Sequence, residues 1–122
     1  MYQESNIVEL KEVLIDDVKK EIVAFLNTNG GTIFVGVKDD GTIIPFLDQK
    51  EKDSMDCKIA NWISDAFFPN TSHLIKHYFN NDNVLVIEVL VGEEKPYYLK
   101  EKGPKPSGVY KRVGSTIRMA ND

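Results

Sequence analysis

The sequence predicts a single α+β domain in which a mixed β-sheet is flanked by two helices. Two stretches carry apolar residues at helical spacing, several shorter ones are rich in β-branched and aromatic residues, and turn-forming residues separate them. The 122 residues suffice for one hydrophobic core but not for two. The expected order of elements over residues 1–122 is therefore β-α-β-β-α-β-β-β-β, within one domain.

The best-defined part of the pattern is one helix followed by one strand. Apolar residues recur at helical spacing over residues 16–29, and an aspartate at the start can cap the predicted helix. A Gly-Gly pair follows, which suits the left-handed conformation that ends many helices. Residues 32–37 are apolar on both faces and predict an interior strand. The Asp-Asp-Gly turn after it places two carboxylates, those of Asp39 and Asp40, at the end of a buried strand.

The other elements follow from shorter patterns. A first short strand is expected within residues 7–10, and a second helix over residues 54–68, where Pro69 ends it. Further strands are expected over residues 42–46, 73–79, 84–91, 97–99 and 109–113, followed by a tail. The single cysteine, Cys57, lies in the second helical pattern and is interpreted as a buried structural thiol.

The formal net charge of −4 at pH 7 is unevenly distributed. Residues 1–94 contain eight lysines and no arginine against seventeen acids, a net charge of −9, whereas residues 95–118 carry +6. The total argues against a domain that coats nucleic acid by bulk attraction, yet the basic segment can contact phosphate. The alternative, which has equal weight at this point, is a solvated edge hairpin whose lysines discourage edge pairing.

The sequence contains no signal peptide, no lipidation motif and no apolar run long enough to span a bilayer. A cytoplasmic location without a membrane partner is therefore expected. The glycines do not match the phosphate-binding patterns of nucleotide hydrolases or dinucleotide-binding domains, and no nucleophile motif supports acyl transfer. These classes of enzyme are therefore disfavoured.

Four acids are candidate ligands for a divalent metal: Glu4, Glu9, Asp39 and Asp40. Mg²⁺ favours carboxylates together with waters and substrate phosphate, and the nearby Lys11 can neutralise a phosphate. Glu4 and Glu9 are five residues apart, so both face one site only if the chain bends between them. The alternative is that all four acids are solvated.

Tyr97 and Tyr98 precede most of the basic residues of the C-terminal segment. Their rings can stack on bases next to phosphate contacts. A strand with one buried and one exposed tyrosine gives the same pattern, and both interpretations stay open.

Five ordered motifs together resemble one known family. They are Glu4-Ser5, Glu9-Leu10-Lys11, Ile22-Val23-Ala24-Phe25-Leu26-Asn27-Thr28-Asn29-Gly30-Gly31, Phe34-Val35-Gly36-Val37-Lys38-Asp39-Asp40-Gly41 and Tyr110-Lys111-Arg112-Val113-Gly114-Ser115. This ordered set spans residues 4–116 and is similar to the Schlafen-type AlbA domain. Leu26 replaces a usual alanine of that family, a mild departure that does not threaten the fold.

The resemblance implies a nucleic-acid-binding domain, with DNA the expected ligand, at the N-terminus of a transcriptional regulator. Such domains are usually followed by an ATPase-like or winged-helix region, so this chain is expected to be an N-terminal fragment of a longer protein. Binding is expected to need no cofactor. The residues expected to contact nucleic acid are Lys100, Lys102, Lys105, Lys111, Arg112 and Arg118 through phosphate, and Tyr97 or Tyr98 through stacking.

The resemblance also supports an enzymatic alternative. Vertebrate Schlafen proteins use a three-carboxylate metal site to cleave transfer and ribosomal RNA. Carried over residue by residue, that catalytic triad falls on Glu4, Glu9 and Asp39, with Lys11 near the scissile phosphate and Mg²⁺ or Mn²⁺ as the metal. This chain has one copy of the unit that those proteins duplicate, so a groove requires a homodimer. A second alternative is a dimerisation or sensor module without catalysis.

Overall fold

The structure is a computed structural model that describes residues 2–45 and 48–120. These residues form two α-helices, eight β-strands and one 3-10 turn, and the predicted α+β class is confirmed. The helices are α1 (Asp17–Asn27) and α2 (Gln49–Asp65). The strands are β1 (Val8–Lys11), β2 (Gly31–Val35), β3 (Phe67–Phe68), β4 (Ile75–Phe79), β5 (Leu85–Val89), β6 (Tyr98–Leu99), β7 (Tyr110–Val113) and β8 (Thr116–Met119).

A four-stranded sheet with the order β1-β2-β5-β4 forms the centre of the fold. Strands β1 and β2 run parallel, with Glu9 opposite Ile33, and α1 is the crossover that joins them. Strand β5 pairs antiparallel with both β2 and β4. Two separate two-stranded sheets, β3–β6 and β7–β8, complete the topology of the described residues.

Helix α1 is covered by the sheet on one side and by the β7–β8 hairpin on another. Its residues from Glu21 to Leu26 are all buried. Alternate residues of β2, Ile33 and Val35, point toward α1 and join the main core. A smaller apolar cluster around Leu10 lies on the opposite face of the sheet. Because α1 is covered on more than one side, more of its surface is apolar than a one-faced amphipathic helix requires.

The predicted end of the first helix is present. Gly30 has φ +72°, and its N–H donates to the carbonyl oxygen of Phe25 at 2.8 Å. The strand predicted over residues 42–46 is reduced to an isolated bridge between Val37 and Ile43, and residue 46 lies outside the described residues. Pro45 lacks the N–H that further pairing would need.

Helix α2 begins earlier and ends earlier than predicted. The Asp48 side chain accepts a hydrogen bond from the Glu51 N–H at 2.8 Å and caps the helix before its apolar stripe begins. The apolar pattern alone therefore located the start too late. At the other end, Phe67 and Phe68 leave the helix and form β3.

Helix α2 is less buried than its apolar stripe suggested. Only Ile59 and Trp62 of α2 are buried. Cys57 is exposed, so its interpretation as a buried thiol was wrong. Within residues 2–45 and 48–120, no helix combines the length and apolar character needed to cross a membrane.

The residues predicted as a C-terminal tail instead form β8. Gly114, with φ +60°, makes the turn that returns the chain alongside β7. Lys111 lies directly opposite Arg118 in the resulting hairpin, and Arg112 lies opposite Ile117.

Candidate functional site

Four charged side chains meet where β1, α1 and β7 come together. Nη1 of Arg112 lies 2.6 Å from Oε1 of Glu9 and 2.9 Å from Oε1 of Glu21. Nζ of Lys11 lies 3.7 Å from Oε2 of Glu9 and 3.6 Å from Oε2 of Glu21. Two carboxylates are thus held between two cations. We call these four residues the ion cluster.

Local structure fixes each member of the ion cluster. Glu9 and Lys11 alternate with Leu10 on β1, so both face α1 while Leu10 packs in the smaller apolar cluster on the other side. Glu21 lies on α1, whose surface is covered by the hairpin at this point. Arg112 lies on the inner face of β7, with exposed residues on both sides of it in the strand.

Arg112 was predicted to contact phosphate, but its guanidinium is enclosed by the protein. Nη2 donates to the carbonyl oxygens of Ser5 and Val8 at 2.7 and 3.0 Å. The guanidinium lies 4.8 Å from the centroid of the Phe25 ring, and the side chain is 1% exposed. Arg112 therefore ties the N-terminal segment, α1 and the hairpin together.

The motif at the end of α1 holds the same hairpin through neutral hydrogen bonds. Nδ2 of Asn27 donates to the carbonyl oxygens of Tyr97 and Tyr110, both at 2.9 Å, and Oδ1 accepts from the Tyr97 N–H at 2.7 Å. Oγ1 of Thr28 accepts from the Arg112 N–H at 2.9 Å. The end of α1 therefore sets the positions of both β6 and β7.

Burial dominates the electrostatics of the ion cluster. Loss of hydration raises the pKa of Glu9 to about 7, although the hydrogen bond from Arg112 acts in the opposite direction. The neighbouring carboxyl groups of Glu21 and Glu4 add to this rise in pKa. Burial also raises the pKa of Glu21, against the opposing charges of Lys11 and Arg112. Glu9 is therefore expected to gain or lose a proton near neutral pH.

The free energy of unfolding is expected to fall as the pH rises from about 5 to about 8. The pKa of Glu9 is about 7 in the folded chain, against an ordinary value of 4.5. Between these values the folded chain holds the proton more tightly than the unfolded chain, so each pH unit removes up to about 1.4 kcal/mol of stability. Glu9→Gln should reduce this slope, as measured by urea unfolding at a series of pH values. The exposed Glu12→Gln is the control, and an undiminished slope in Glu9→Gln would contradict the assignment.

The structure brings two of the three predicted metal ligands together. The bend expected between Glu4 and Glu9 is present, because the Ser5 N–H donates to the Val8 carbonyl oxygen at 3.0 Å. The Glu4 carboxyl group lies close enough to contribute to the raised pKa of Glu9, and its Oε2 accepts from the Leu10 N–H at 3.4 Å. Asp39, by contrast, is exposed in the turn after β2.

The ion cluster does not fit a divalent metal in this arrangement. Both oxygens of Glu9 face cations, and Lys11, expected near a scissile phosphate, is paired with two glutamates. Across residues 2–45 and 48–120, no three His, Cys, Asp or Glu side chains are placed to hold a metal ion. The metal-binding triad of Glu4, Glu9 and Asp39 stays a prediction. Metal binding by this triad requires the Glu9 carboxylate to break its hydrogen bond with Arg112.

The remaining cations predicted to contact nucleic acid lie on the surface. They are Lys100, Lys102, Lys105, Lys111 and Arg118, all of them exposed. In the described part of the chain none of the five forms a salt bridge. Lys111 and Arg118 lie directly opposite each other on β7 and β8, and like charges so placed destabilise a strand pair. The outer face of the hairpin thus carries a positive pair that no described carboxylate offsets.

The two tyrosines separate into one buried and one outward-facing residue. Tyr97 is 1% exposed, and its hydroxyl oxygen accepts from the Glu94 N–H at 3.3 Å, so its ring is enclosed in the core. Tyr98 is half-buried and lies beside Phe68, with ring centroids 5.4 Å apart. Of the two predicted stacking residues, only Tyr98 has a ring that reaches the surface.

Two residues described above, Glu21 and Phe68, were not predicted from the sequence as members of a site. Glu21 lies one helical turn before the buried Phe25, so an acid on the apolar side of α1 was the available signal. Phe68 was placed at the end of a helix, where an outward-facing aromatic gives no sign of a strand partner. In the structure it pairs with Tyr98 across β3 and β6.

Fold and ion cluster together define an α+β domain in which the N-terminal motif and the C-terminal hairpin are joined by buried ion pairs. The sequence matches the Schlafen AlbA_2 family over residues 4–121, and the chain belongs to this family. No curated protein matches the chain by sequence.

Solved structures that share the fold include the following two. The DIP2311 protein from Corynebacterium diphtheriae covers 95% of this chain at 18% identity with a TM-score of 0.59, and this chain spans 22% of its length. The N-terminal domain of a DNA helicase RecG-related protein from Nitrosomonas europaea covers 94% of this chain at 20% identity with a TM-score of 0.56, and 83% of that domain is matched. At these identities the likeness establishes the fold alone.

Proposed function

We propose that this chain is a nucleic-acid-binding domain of a transcriptional regulator, with DNA the expected ligand. The observation that carries the proposal is the positive pair of Lys111 and Arg118 on the outer face of the β7–β8 hairpin. Two like charges directly opposite each other cost stability in the absence of an anion. Phosphate oxygens are the anions that lysine and arginine contact in most protein–DNA interfaces.

Further exposed cations lie in the loop that leads from β6 to β7. The loop after β6 folds back onto the start of β7, because a Cβ built at Gly108 would lie 2.8 Å from Cβ of Lys102. Lys105 belongs to the same loop. Since residues 1–94 carry a net charge of −9, the proposed phosphate contacts are confined to the basic segment 95–118. Affinity should therefore depend on a few phosphate contacts and fall as salt is added.

The comparisons support a nucleic-acid-related role. The family points in that direction, and one protein that shares the fold is named as related to a DNA helicase. A cytoplasmic location, a homodimer and a C-terminal ATPase-like or winged-helix partner region belong to the same proposal. Binding through lysine and arginine needs no cofactor.

The double variant Lys111→Ala/Arg118→Ala is expected to bind DNA more weakly than the wild-type chain. The plot of log affinity against log salt should become shallower by about 0.9 for each lost duplex phosphate contact, or about 0.7 for a single strand. Fluorescence anisotropy with labelled oligonucleotides at several salt concentrations measures both quantities. Lys38→Ala/Lys50→Ala removes the same charge from exposed sites elsewhere and is the matched control. Equal losses in the two double variants would refute the hairpin as the contact surface.

Metal-dependent cleavage of structured RNA stays the first alternative prediction. A dimerisation or sensor module without catalysis stays the second alternative. The nuclease alternative is tested by incubating a transfer-RNA pool with Mn²⁺ and the purified chain. Discrete fragments that disappear with Asp39→Asn would support it, because Asp39 is exposed and its amide variant leaves the core intact. Intact RNA in every lane would contradict the nuclease alternative and leave nucleic-acid binding without cleavage as the proposed function.

A further inference from the structure

An aromatic pair lies on the outer face of the small β3–β6 sheet. Phe68 and Tyr98 are paired across the two strands, with ring centroids 5.4 Å apart and an interplanar angle of 37°. Phe68 is 49% exposed, and Tyr98 is half-buried. Their neighbours Phe67 and Leu99 point the other way into the main core, which anchors both strands. The inner face of the small sheet therefore packs on the core, and the two aromatic rings lie on its accessible outer face.

A lysine, Lys100, lies close to Tyr98 of this aromatic pair in the sequence and adds a positive charge to the outer face. Lys100 directly follows β6 and is two residues after Tyr98, so continuation of the strand pairing by one residue places it on the side of Tyr98. Its N–H donates to the Ala66 carbonyl oxygen at 2.9 Å, which continues the β3–β6 pairing by one residue pair. Lys100 also lines a hollow of about 280 Å³, whose other lining residues are Lys19, Asn61, Trp62, Asp65, Ala66 and Glu101.

The lining of the hollow suits a nucleobase better than a phosphate. The amide of Asn61 both donates and accepts hydrogen bonds, and the carboxylate of Asp65 accepts them, as the groups that recognise base edges do. This carboxylate and that of Glu101, which also lines the hollow, repel a phosphate. Lys100 lines the hollow and follows the strand that carries Tyr98, so we expect it to meet the backbone that joins two bases.

We infer that this face is a binding site for unpaired nucleobases. One base stacks on Phe68 and Tyr98, Lys100 contacts the adjoining phosphate, and the hollow receives the next base. A paired base in a duplex has both faces covered by its neighbours, so only an unpaired or extruded base can stack here. The inference rests on the proposed nucleic-acid-binding function and narrows its ligand to a single-stranded stretch of DNA or RNA.

The test compares single-stranded with double-stranded ligands. Labelled mixed-sequence oligonucleotides of about 12 nucleotides, as single-stranded DNA, single-stranded RNA and duplex DNA, are titrated with the chain at low salt and followed by anisotropy. Single strands should bind more tightly than the duplex. Phe68→Leu and Tyr98→Leu should each weaken single-strand binding by about fivefold or more, with a smaller effect on the duplex. Tyr78→Leu, an exposed tyrosine on β4, is the matched control.

Two further measurements keep the test independent of folding defects. Trp62 lines the hollow and is the single tryptophan of the chain, so its fluorescence should change when an unlabelled single strand is added. Lys100→Gln, an exposed substitution, should weaken single-strand binding and make it less sensitive to salt. The DNA and RNA strands report separately which backbone is preferred.

The outcomes separate the inference from the proposed function. Binding that is equal for duplex and single strand, unchanged in both leucine variants and weakened by Lys111→Ala/Arg118→Ala would overturn this site and leave the proposed function standing. Absence of binding to every oligonucleotide at low salt would overturn both. Weaker single-strand binding in the leucine variants, with Tyr78→Leu unchanged, supports the site.

Discussion

Replacement of Arg112 by methionine is expected to remove about 3–5 kcal/mol of the free energy of unfolding at about pH 8. The substitution leaves the carboxylates of Glu9 and Glu21 buried, with Lys11 as their remaining partner in the ion cluster. It also removes the guanidinium donor from the carbonyl oxygens of Ser5 and Val8, which keep only the backbone hydrogen bonds that these two residues exchange. A loss of this size is a large part of the stability of an ordinary domain. Urea unfolding followed by circular dichroism measures it.

Protonation gives this prediction a distinctive pH dependence. The pKa of Glu9 is already raised by burial, and loss of the Arg112 hydrogen bond removes the main influence that lowers it. At about pH 5 the carboxyl groups can take up protons and escape the cost of a buried charge. The destabilisation by Arg112→Met should therefore be smaller at low pH than at about pH 8. A cost that does not vary with pH would show that lost packing, rather than unpaired charge, is responsible.

A double-mutant cycle separates charge from packing in the same site. In the background Glu9→Gln/Glu21→Gln no buried carboxylate remains, so Arg112→Met should cost clearly less than it does in the wild-type chain. Lys111→Ala, on the exposed side of the same strand, is the control and should change stability by less than about 0.5 kcal/mol. An equal cost of Arg112→Met in both backgrounds would refute the ion cluster as the source of stability.

The features of the fold that could be predicted from the sequence are those determined by interactions between neighbouring residues. The end of α1 and the start of β2 depend on a glycine turn between neighbouring segments, and both were located within a few residues. The family motifs could also be recognised in the sequence, but the contacts that their residues make could not be predicted. Their residues meet in three dimensions, because Glu9, Asn27 and Arg112 all lie where α1 contacts β1 and β7.

Partners far apart in the chain explain what the sequence did not predict. Arg112 reaches Glu21 across 91 positions, and nothing in the local pattern of either residue identifies the other. Arg112 was therefore grouped with the exposed cations around it. Its place in the strand was a usable signal, because Arg112 shares a face with the buried Tyr110 and not with Lys111.

Asn27→Ala is the second substitution with a large expected effect, about 3 kcal/mol of the free energy of unfolding. The asparagine side chain makes three hydrogen bonds that no other element replaces in the described structure: two to carbonyl oxygens, of Tyr97 and Tyr110, and one from the Tyr97 N–H. Alanine leaves all three backbone groups short of a partner in a partly buried place. Because these bonds hold β6 and β7 against α1, the change should also loosen the hairpin that carries Lys111 and Arg118.

Three measurements distinguish this role from a general preference for asparagine after a helix. Asn29→Ala, at an exposed position of the same motif, should cost less than about 0.5 kcal/mol. Asn27→Asp keeps the acceptor for the Tyr97 N–H but places an unpaired negative charge against two carbonyl oxygens, so it should rescue little of the loss. Hydrogen exchange at the Tyr97 amide should accelerate in Asn27→Ala. Equal costs for Asn27→Ala and Asn29→Ala would mean that the hairpin is held by the ion cluster alone, and Arg112 would then be the residue on which the orientation of the proposed binding surface depends.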